Sequence, residues 1–193
     1  MELRVKNLCK GYGGVPVLKN VTFAMGSGVT CVMAPSGGGK TTLLRILLGL
    51  ESADSGTVEG AACLRWAAVF QEDRLLEHLD AMGNLRFVLG PDRCGETAPA
   101  LLRELGLADI EGKPVRTFSG GMRRRLALAR ALLAESDALA LDEPFSGLDE
   151  ENRRRALECI RRCGAGKPVL LVTHDEEDAE GLQGEIVRLA EFS

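Results

Sequence analysis

Along the start of the chain the pattern of hydrophobic and polar positions changes. Leu3 to Leu8 alternates apolar with polar residues and Val17 to Met25 is again strand-like, so an antiparallel sheet is predicted. Val29 to Met33 is instead a continuous apolar run, which is typical of a central parallel strand. Thr41 to Leu48 has helical composition and ends at Gly49. A glycine-rich loop joins this strand to this helix.

The rest of the chain alternates strands with helices, with one interruption. Strands are predicted at residues 56–59 and 67–70, whereas residues 72–117 favour helices, notably Ala98 to Leu105, and carry no strand signal. Alternation then resumes, with helices at about 121–133, 150–163 and 176–182 and strands at 138–141, 169–173 and 185–189. This pattern predicts a parallel α/β core that is interrupted once by a helical lobe.

Composition excludes several classes of protein. The 193 residues suit one compact domain, and 45% hydrophobic residues supply an ample core, which excludes a largely disordered chain. A net charge of -4 gives no electrostatic footprint for nucleic acid, and the arginine runs at residues 123–125 and 153–155 are expected to be solvated helix faces. Because no apolar stretch approaches the roughly 20 residues of a membrane helix, membrane association is expected to run through a partner.

The six cysteines are scattered through the chain. They form no C-x-x-C pair, and no secretory leader precedes the polar start of the chain. We therefore expect reduced, structural thiols in a cytoplasmic protein. The six are Cys9, Cys31, Cys63, Cys94, Cys159 and Cys163.

The glycine-rich loop matches the phosphate-binding pattern G-x-x-x-x-G-K-[ST], except that Ala34 holds the first glycine position. Successive backbone N–H groups can converge on phosphate oxygens, while Lys40 neutralises charge and the Thr41 hydroxyl can ligate magnesium. A turn that merely links strand to helix is the alternative. The predicted nucleotide-binding residues are Ala34, Pro35, Ser36, Gly37, Gly38, Gly39, Lys40, Thr41 and Thr42.

Two carboxylates follow the apolar strand at residues 139–141. Asp142, at the carboxyl end of this strand, can hold the magnesium ion that bridges nucleotide phosphates. Glu143 can orient and deprotonate a water molecule beside the γ-phosphate. The pair therefore predicts a metal ligand and a general base, whereas two carboxylates that cap a helix or lie in solvent are the alternative.

Taken in order, these motifs and Ser119-Gly120-Gly121 resemble the ATP-binding cassette family from Tyr12 to about Leu189. Ser119-Gly120-Gly121 resembles the family signature, with a hydroxyl and two exposed N–H groups at a helix N-terminus. The resemblance implies that the signature of one subunit closes over ATP held by the phosphate loop of another. A head-to-tail dimer with two nucleotides is therefore expected.

Four further sites match the family. Tyr12 resembles the aromatic residue that stacks on adenine, and a surface tyrosine is its alternative. Gln71 resembles the glutamine that reaches magnesium and the attacking water. His174 resembles the switch histidine that contacts the γ-phosphate. Asp149, in the segment 146–149, resembles part of a loop that crosses the dimer interface, with a simple helix cap as the alternative.

The sequence departs from the family at Met122, where glutamine is usual, and at Ala34. Neither departure removes a group assigned to phosphate or metal, so binding and hydrolysis are expected to survive. Residues 70–76, with Asn84-Leu85, are similar to the lobe entrance of bacterial importers of the nitrate, sulfonate and taurine group. Three leucines there, at positions 75, 76 and 79, suit either a partner surface or packing within the lobe.

The resemblance implies a P-loop NTPase (RecA-like) α/β fold with a mostly parallel sheet and an N-terminal antiparallel β subdomain. Residues 1–71 and 118–193 are expected to form the nucleotide-binding core, and residues 72–117 an inserted helical subdomain. The expected function is ATP hydrolysis coupled to transport, with ATP and Mg²⁺ as cofactors. The expected partners are a second copy of the chain, integral membrane permease subunits and a substrate-binding protein, at the cytoplasmic face of the cell membrane.

Three alternative functions stay open at this point. A soluble ATPase of the same family that acts on DNA or ribosomes would need features such as tandem cassettes or basic extensions, which the sequence does not contain. An efflux or lipoprotein-release ATPase would share the same motifs. A small-molecule phosphotransferase would leave Ser119-Gly120-Gly121 and His174 unexplained.

Overall fold

The computed structural model describes residues 2–35, 37–90, 94–108 and 110–189. Strands and helices alternate over this part of the chain much as the sequence pattern predicts. The strands are β1 Leu3–Tyr12, β2 Val15–Met25, β3 Gly28–Met33, β4 Ser55–Glu59, β5 Trp66–Val69, β6 Ala138–Asp142, β7 Pro168–Val172 and β8 Glu185–Arg188. The helices are α1 Lys40–Leu47, α2 Ala81–Leu89, α3 Thr97–Glu104, α4 Gly120–Leu133, α5 Glu150–Cys163 and α6 Glu176–Gly181.

The first sheet is antiparallel, as the start of the sequence predicts, and has the strand order β2-β1-β4. Its inward face follows the alternation in β1, where Leu3, Val5 and Leu8 are buried. Side chains on alternate positions of a strand point to opposite faces, so the polar residues between them lie on the other face. Irregular register between β1 and β2 interrupts the alternation after Val5.

The second sheet has the strand order β5-β6-β7-β3-β8 and carries the predicted chemistry at one edge. β3 pairs in parallel with β7 and with β8, and β6 pairs in parallel with β7. Every residue of β6 and β7 is buried, which explains their continuous apolar runs. The carboxyl ends of parallel strands share one edge of a sheet. Three predicted site elements therefore lie at that edge: the phosphate loop after β3, Asp142 at the end of β6 and His174 after β7.

The chain divides into two compact units. The phosphate-loop unit comprises Met1–Trp66, Ser136–Asp142 and Gly164–Ser193. The signature unit comprises Ala67–Glu135 and Glu143–Cys163, and it contains helices α2 to α5. Within residues 72–117, α2 and α3 are the α-helices, and the described part of this range contains no strand. The boundaries of an inserted subdomain at residues 72–117 stay a prediction.

Two findings bear on the other expectations from composition. All six cysteines are free thiols, and burial raises the pKa of Cys31 to about 12, so this thiol is inert at neutral pH. Within the described ranges, no helix combines the length and the apolar composition that crossing a bilayer requires.

Candidate nucleotide site

The phosphate loop is shaped by glycines in the left-handed region. Gly37 has a φ of 80° and Gly39 a φ of 81°, conformations that residues with a Cβ rarely adopt. The Gly38 N–H donates to the Pro35 carbonyl at 2.9 Å, which closes a turn between β3 and α1. Ser36, a predicted nucleotide-binding residue, lies outside the described residues. The backbone of this loop therefore has the curvature with which N–H groups can converge on an anion.

The structure shows how the loop accommodates Ala34. This residue is not among the described residues with a positive φ, so its side chain introduces no backbone strain. A Cβ added at Gly38 would stand only 2.8 Å from the Ala34 Cβ and 3.0 Å from the Pro35 carbonyl oxygen. Alanine at position 34 is thus compatible with the loop because glycine occupies position 38.

Helix α1 presents its N-terminus to this loop. Gly39 is the N-cap residue and has no side chain with which to cap the helix, and no acidic residue lies in the first turn. Its inner face is anchored by buried Leu43, Leu44, Ile46 and Leu47. The N–H groups of the first turn, including those of Thr41 and Thr42, are therefore directed toward the loop with the positive end of the helix dipole.

Lys40 and Thr41 begin this helix, and their side chains contact groups of the same unit. The Lys40 ammonium donates to the Ala34 carbonyl at 2.5 Å, which holds it over the loop. The Thr41 hydroxyl donates to Asp142 Oδ2 at 2.9 Å, across a sequence separation of 101 residues. Asp142 is 2% exposed. The pair predicted to hold magnesium is therefore already assembled as a hydroxyl beside a buried carboxylate.

Glu143 belongs to the signature unit and has an uncommon backbone conformation. Its φ is 49°, in the left-handed region that side-chain-bearing residues seldom occupy, and Pro144 follows it. Its carbonyl accepts a hydrogen bond from the Ser146 N–H at 3.1 Å, which fixes a tight turn directly after β6. The residue predicted as general base is thus held half-buried at a strained position, a feature that clusters at functional sites.

His174 is exposed at the turn between β7 and α6, and its neighbours are firmly hydrogen-bonded. The buried Thr173 hydroxyl donates to Asp178 Oδ2 at 2.6 Å and accepts from the Asp175 N–H at 3.2 Å. Asp175 in turn caps α6 by accepting from the Glu177 N–H. This small network fixes the backbone on both sides of the histidine.

Tyr12 lies at the end of β1 with 47% of its surface exposed. Its hydroxyl donates to Glu51, and the Lys10 ammonium lies 5.4 Å from the ring centroid. Lys10 also contacts Asp54 at 3.0 Å. The ring is therefore held at its hydroxyl end, and about half of the surface of this residue stays exposed.

Ser119 begins helix α4 as its N-cap residue. Its Oγ accepts a hydrogen bond from the Met122 N–H at 3.2 Å, and the first turn contains no acidic residue. A serine hydroxyl keeps its own proton to donate when its oxygen accepts, so the cap still leaves a donor. Gly121 approaches the next loop closely, since an added Cβ would stand 3.1 Å from the Gly147 carbonyl oxygen.

This helix start opens on a cleft of about 580 Å³ within the signature unit. Asp149 lies on its rim and accepts from the Asn152 N–H at 2.9 Å, so it does cap α5, as the alternative interpretation held. Hydrogen bonds from the Asn152 backbone and side chain lower the pKa of Asp149. The cleft is lined by Asp73, Ser119, Gly120, Gly121, Arg124, Arg125, Ser146, Gly147, Leu148, Asp149 and Asn152.

The arginine run at residues 123–125 is not a solvated face, contrary to expectation. Arg124 is 7% exposed and Arg125 is 8% exposed. Arg125 donates to the carbonyls of Leu105 and Gly106 at 2.8 Å and 2.9 Å. Consecutive helical residues point 100° apart, and this rotation turns two of the three arginines inward. The helical period could have predicted the burial of Arg124, because this residue lies four positions before the buried Leu128 and therefore on the same helix face.

Gln71 is exposed and follows β5 in the signature unit. The conformation of the loop beyond Gln71 depends on Asn84. The sequence indicated this residue only through its similarity to the importer family. Asn84 is 1% exposed, accepts from the Leu76 N–H at 2.8 Å and donates to the carbonyls of Leu76 and Asp80 at 3.0 Å. A buried amide that makes three backbone hydrogen bonds fixes the conformation of residues 76–80.

Comparison with known proteins bears on the family. The model of the ABC transporter family matches residues 18–146. The chain is 39% identical to an aliphatic sulfonates import ATP-binding protein of Burkholderia lata, over 98% of this chain and 72% of that protein. It is 36% identical to a taurine import ATP-binding protein of Yersinia pestis, over 97% of this chain and 79% of that protein.

A solved structure, a dimeric bacterial ABC transporter cassette, superposes with a TM-score of 0.84 at 26% identity. The match covers 97% of this chain and 94% of that one. These matches confirm the predicted α/β fold class and the family resemblance.

Proposed function

Since the chain belongs to the ABC transporter family as an ATP-binding, ATP-hydrolysing domain, we propose that it is the nucleotide-binding subunit that powers import across a membrane. The observation that carries this proposal is the phosphate loop with its hydroxyl–carboxylate pair. Gly37 and Gly39 supply the curvature, Lys40 lies over the loop, and Thr41 contacts Asp142 at 2.9 Å. Together they provide N–H donors, a cation and oxygen ligands for a nucleoside triphosphate.

Magnesium fits the residues of this loop. Thr41 and Asp142 supply a hydroxyl and a carboxylate oxygen, which are ligands that Mg²⁺ prefers, and nucleotide phosphates would complete its shell. Gln71 is proposed as a further ligand from the family resemblance. When bound, the ion supplies charge neutralisation on the β- and γ-phosphates.

Hydrolysis is assigned to Glu143 as general base. A carboxylate that accepts a proton from water makes the water a stronger nucleophile toward the γ-phosphate. The positive φ of Glu143 supports this role, because such strain persists where the surrounding fold imposes a particular side-chain direction. His174 is proposed to contact the γ-phosphate, and Tyr12 to stack on the adenine ring.

A second copy of the chain is proposed to complete the site, head to tail. Ser119, Gly120 and Gly121 would donate to the γ-phosphate held by the partner's phosphate loop. The start of α4 supports this role, because its first turn contains no acidic residue to oppose an anion. Asp149 would approach the same interface. ATP would favour the closed dimer because only that state makes both sets of contacts, and hydrolysis would remove them.

The proposed partners in the membrane are permease subunits, with a substrate-binding protein on the other side. Relatives named as import ATP-binding proteins support this assignment. Helix α2 lies within residues 72–117, which are proposed as the helical subdomain. Two of its apolar residues are exposed, Phe87 with 73% and Val88 with 51% of its surface. Exposed apolar side chains of this kind suit a protein partner. The subunit would then act at the cytoplasmic face of the cell membrane.

The test is to purify the full chain, measure phosphate release from MgATP, and identify proteins that copurify with it from detergent-solubilised membranes. We expect release without an acceptor substrate and copurification with a multi-span membrane protein. Phosphate transfer to a small-molecule acceptor would instead indicate a phosphotransferase, and salt-sensitive binding to nucleic acid without a membrane partner would favour the soluble ATPase.

A further inference from the structure

Arg124 holds the backbone of the residue proposed to reach the metal and the attacking water. Its Nη1 donates to the Phe70 carbonyl at 2.7 Å, and its Nη2 donates to the Gln71 carbonyl at 2.5 Å. The arginine side chain is 8% exposed. One planar guanidinium thus binds two consecutive carbonyls in a fork, which fixes the direction of the peptide between them.

Asp73 contributes charge to this arrangement but no aligned hydrogen bond. Its Oδ1 lies 3.1 Å from Arg124 Nη1, yet this buried oxygen has no hydrogen-bond partner. Burial raises the pKa of the Asp73 carboxyl despite the nearby arginines. The two carbonyls, rather than the carboxylate, therefore determine where the guanidinium lies.

Arg130 repeats the contact further along the same helix. It donates to the Asp73 carbonyl at 2.8 Å and to the Arg74 carbonyl at 2.7 Å. Arg74 has a φ of 48°, so the chain turns sharply there. Four carbonyls of residues 70–74 are thus held by two arginines of α4, the helix that Ser119 caps.

We propose that Arg124 is a positioning residue for Gln71, which ties the Gln71 backbone to the helix whose N-terminus carries Ser119, Gly120 and Gly121. This inference rests on the proposed function of Gln71 in ATP hydrolysis. Because α4 is a rigid element of 14 residues, a displacement of its signature end is transmitted to Gln71 through the fork. Contact of the signature with a nucleotide thereby sets the position of the glutamine.

The first measurement is hydrogen exchange of the full chain, and it needs no nucleotide. In Arg124→Gln, peptides that cover residues 71–76 should exchange at least about tenfold faster, because the segment opens locally once the fork is lost. Arg124→Lys should lie in between, since one ammonium cannot bind two carbonyls in a plane. Unchanged exchange in Arg124→Gln would overturn the proposal.

The second measurement is a double-mutant cycle on MgATP hydrolysis. Gln71→Ala keeps the carbonyl that Arg124 binds and removes only the side chain to be positioned. In the otherwise native chain Arg124→Gln should lower kcat about tenfold or more, with little change in KM, since small misplacements of catalytic groups are costly. In the Gln71→Ala background the same change should lower kcat less than about twofold. Equal losses in both backgrounds would show that Arg124 acts independently of Gln71.

Arg130→Gln is the matched control, because it removes two carbonyl contacts of the same kind from the same segment but leaves the Gln71 carbonyl bound. It should reduce kcat several-fold less than Arg124→Gln does. Equal reductions would mean that the segment is merely loosened, and would count against a specific effect on Gln71. A native chain that releases no phosphate would refute the proposed function instead, while the exchange measurement would still report on the fork.

Discussion

The phosphate-loop unit and the signature unit both present backbone N–H groups to a proposed phosphate, but they use glycine for different reasons. Gly37 and Gly39 have positive φ values, so the loop needs them for its conformation. Gly120 has no heavy atom within 4 Å of an added Cβ and no positive φ, so the fold itself does not require it. The glycine that starts α4 therefore leaves space for the proposed ligand, whereas the glycines before α1 shape the chain.

The largest expected effect separates hydrolysis from binding. Glu143→Gln in the signature unit should lower turnover about 100-fold or more, because the amide cannot accept the proton of the attacking water. ATP affinity should persist, and an ATP-bound dimer should accumulate. Steady-state phosphate release and gel filtration with ATP measure the two effects. Normal turnover in this variant would remove Glu143 as the base.

Lys40→Ala in the phosphate-loop unit should have the opposite effect: it should weaken ATP binding itself. Loss of charge-assisted hydrogen bonds to phosphate should weaken ATP binding about tenfold or more. Isothermal titration with ATP in the presence of EDTA measures this effect without turnover, and Lys19→Ala is a control on another lysine of the same unit. An unchanged ATP affinity would refute the role of Lys40 and would break the division between the two units.

A matched pair of glycine substitutions tests the comparison directly. In Gly39→Ala the new Cβ would meet Leu18 Cδ2 at 2.6 Å and the Val17 carbonyl oxygen at 2.8 Å, at a φ of 81°. We expect a loss of about 1 to 3 kcal/mol in the free energy of unfolding. Gly120→Ala should change stability by less than about 0.5 kcal/mol but should reduce turnover. Urea denaturation and phosphate release measure both, and equal stability losses would contradict the distinction.

Ser119→Ala should lower the free energy of unfolding by about 1 kcal/mol, because the Met122 N–H loses its cap. ATP affinity of the monomer should not change, since nucleotide binding is assigned to the other unit. Ser119→Thr keeps a capping hydroxyl and serves as the control in the same denaturation experiment. A loss of ATP affinity in the Ser119→Ala monomer would contradict the assignment of Ser119 to the partner's nucleotide.

The smallest expected effect is on the stability of the phosphate-loop unit, and it concerns the ion pair of Arg65 with Asp137. Side-chain and backbone hydrogen bonds from Arg65 lower the pKa of Asp137 to about 2, from an ordinary value of 3.8. A depressed folded-state pKa gives stability that is present above the unfolded value and is lost as pH falls toward 2. Denaturation midpoints of the native chain and Asp137→Asn should therefore differ at pH 6 and converge near pH 2. Because this pair is exposed, salt should reduce the difference.

The sequence predicted the strand, glycine turn and helix around the phosphate loop well because the determinants of this segment are local. Glycines, Lys40 and Thr41 occupy neighbouring positions between a strand and a helix, and each has few substitutes. The contact of Thr41 with Asp142 follows from the general rule that parallel strands share an edge. The strand order itself was not predictable, because pairing of β3 with β7 depends on contacts between distant parts of the chain.

The sequence predicted the buried arginines poorly. A run of three charged residues favours a solvated face on composition alone, and burial of Arg124 depends on carbonyls near residue 70, more than 50 positions away. Glu143 shows the same limit, since no sequence pattern predicts a positive φ before proline. The helical period of α4 does place Arg124 on the buried face, but its carbonyl partners and the φ of Glu143 depend on tertiary packing.

The place of β3 in its sheet has a consequence for synthesis of the chain. β3 is made early, but both of its neighbours, β7 and β8, are made only after residue 167. Contacts between residues so far apart in sequence form slowly. An apolar strand that is still unpaired during this time is prone to aggregate. During translation the nascent phosphate loop therefore emerges on a strand without partners and needs protection until β7 and β8 arrive. It is among the first parts of the chain to be synthesised and among the last to be held in place.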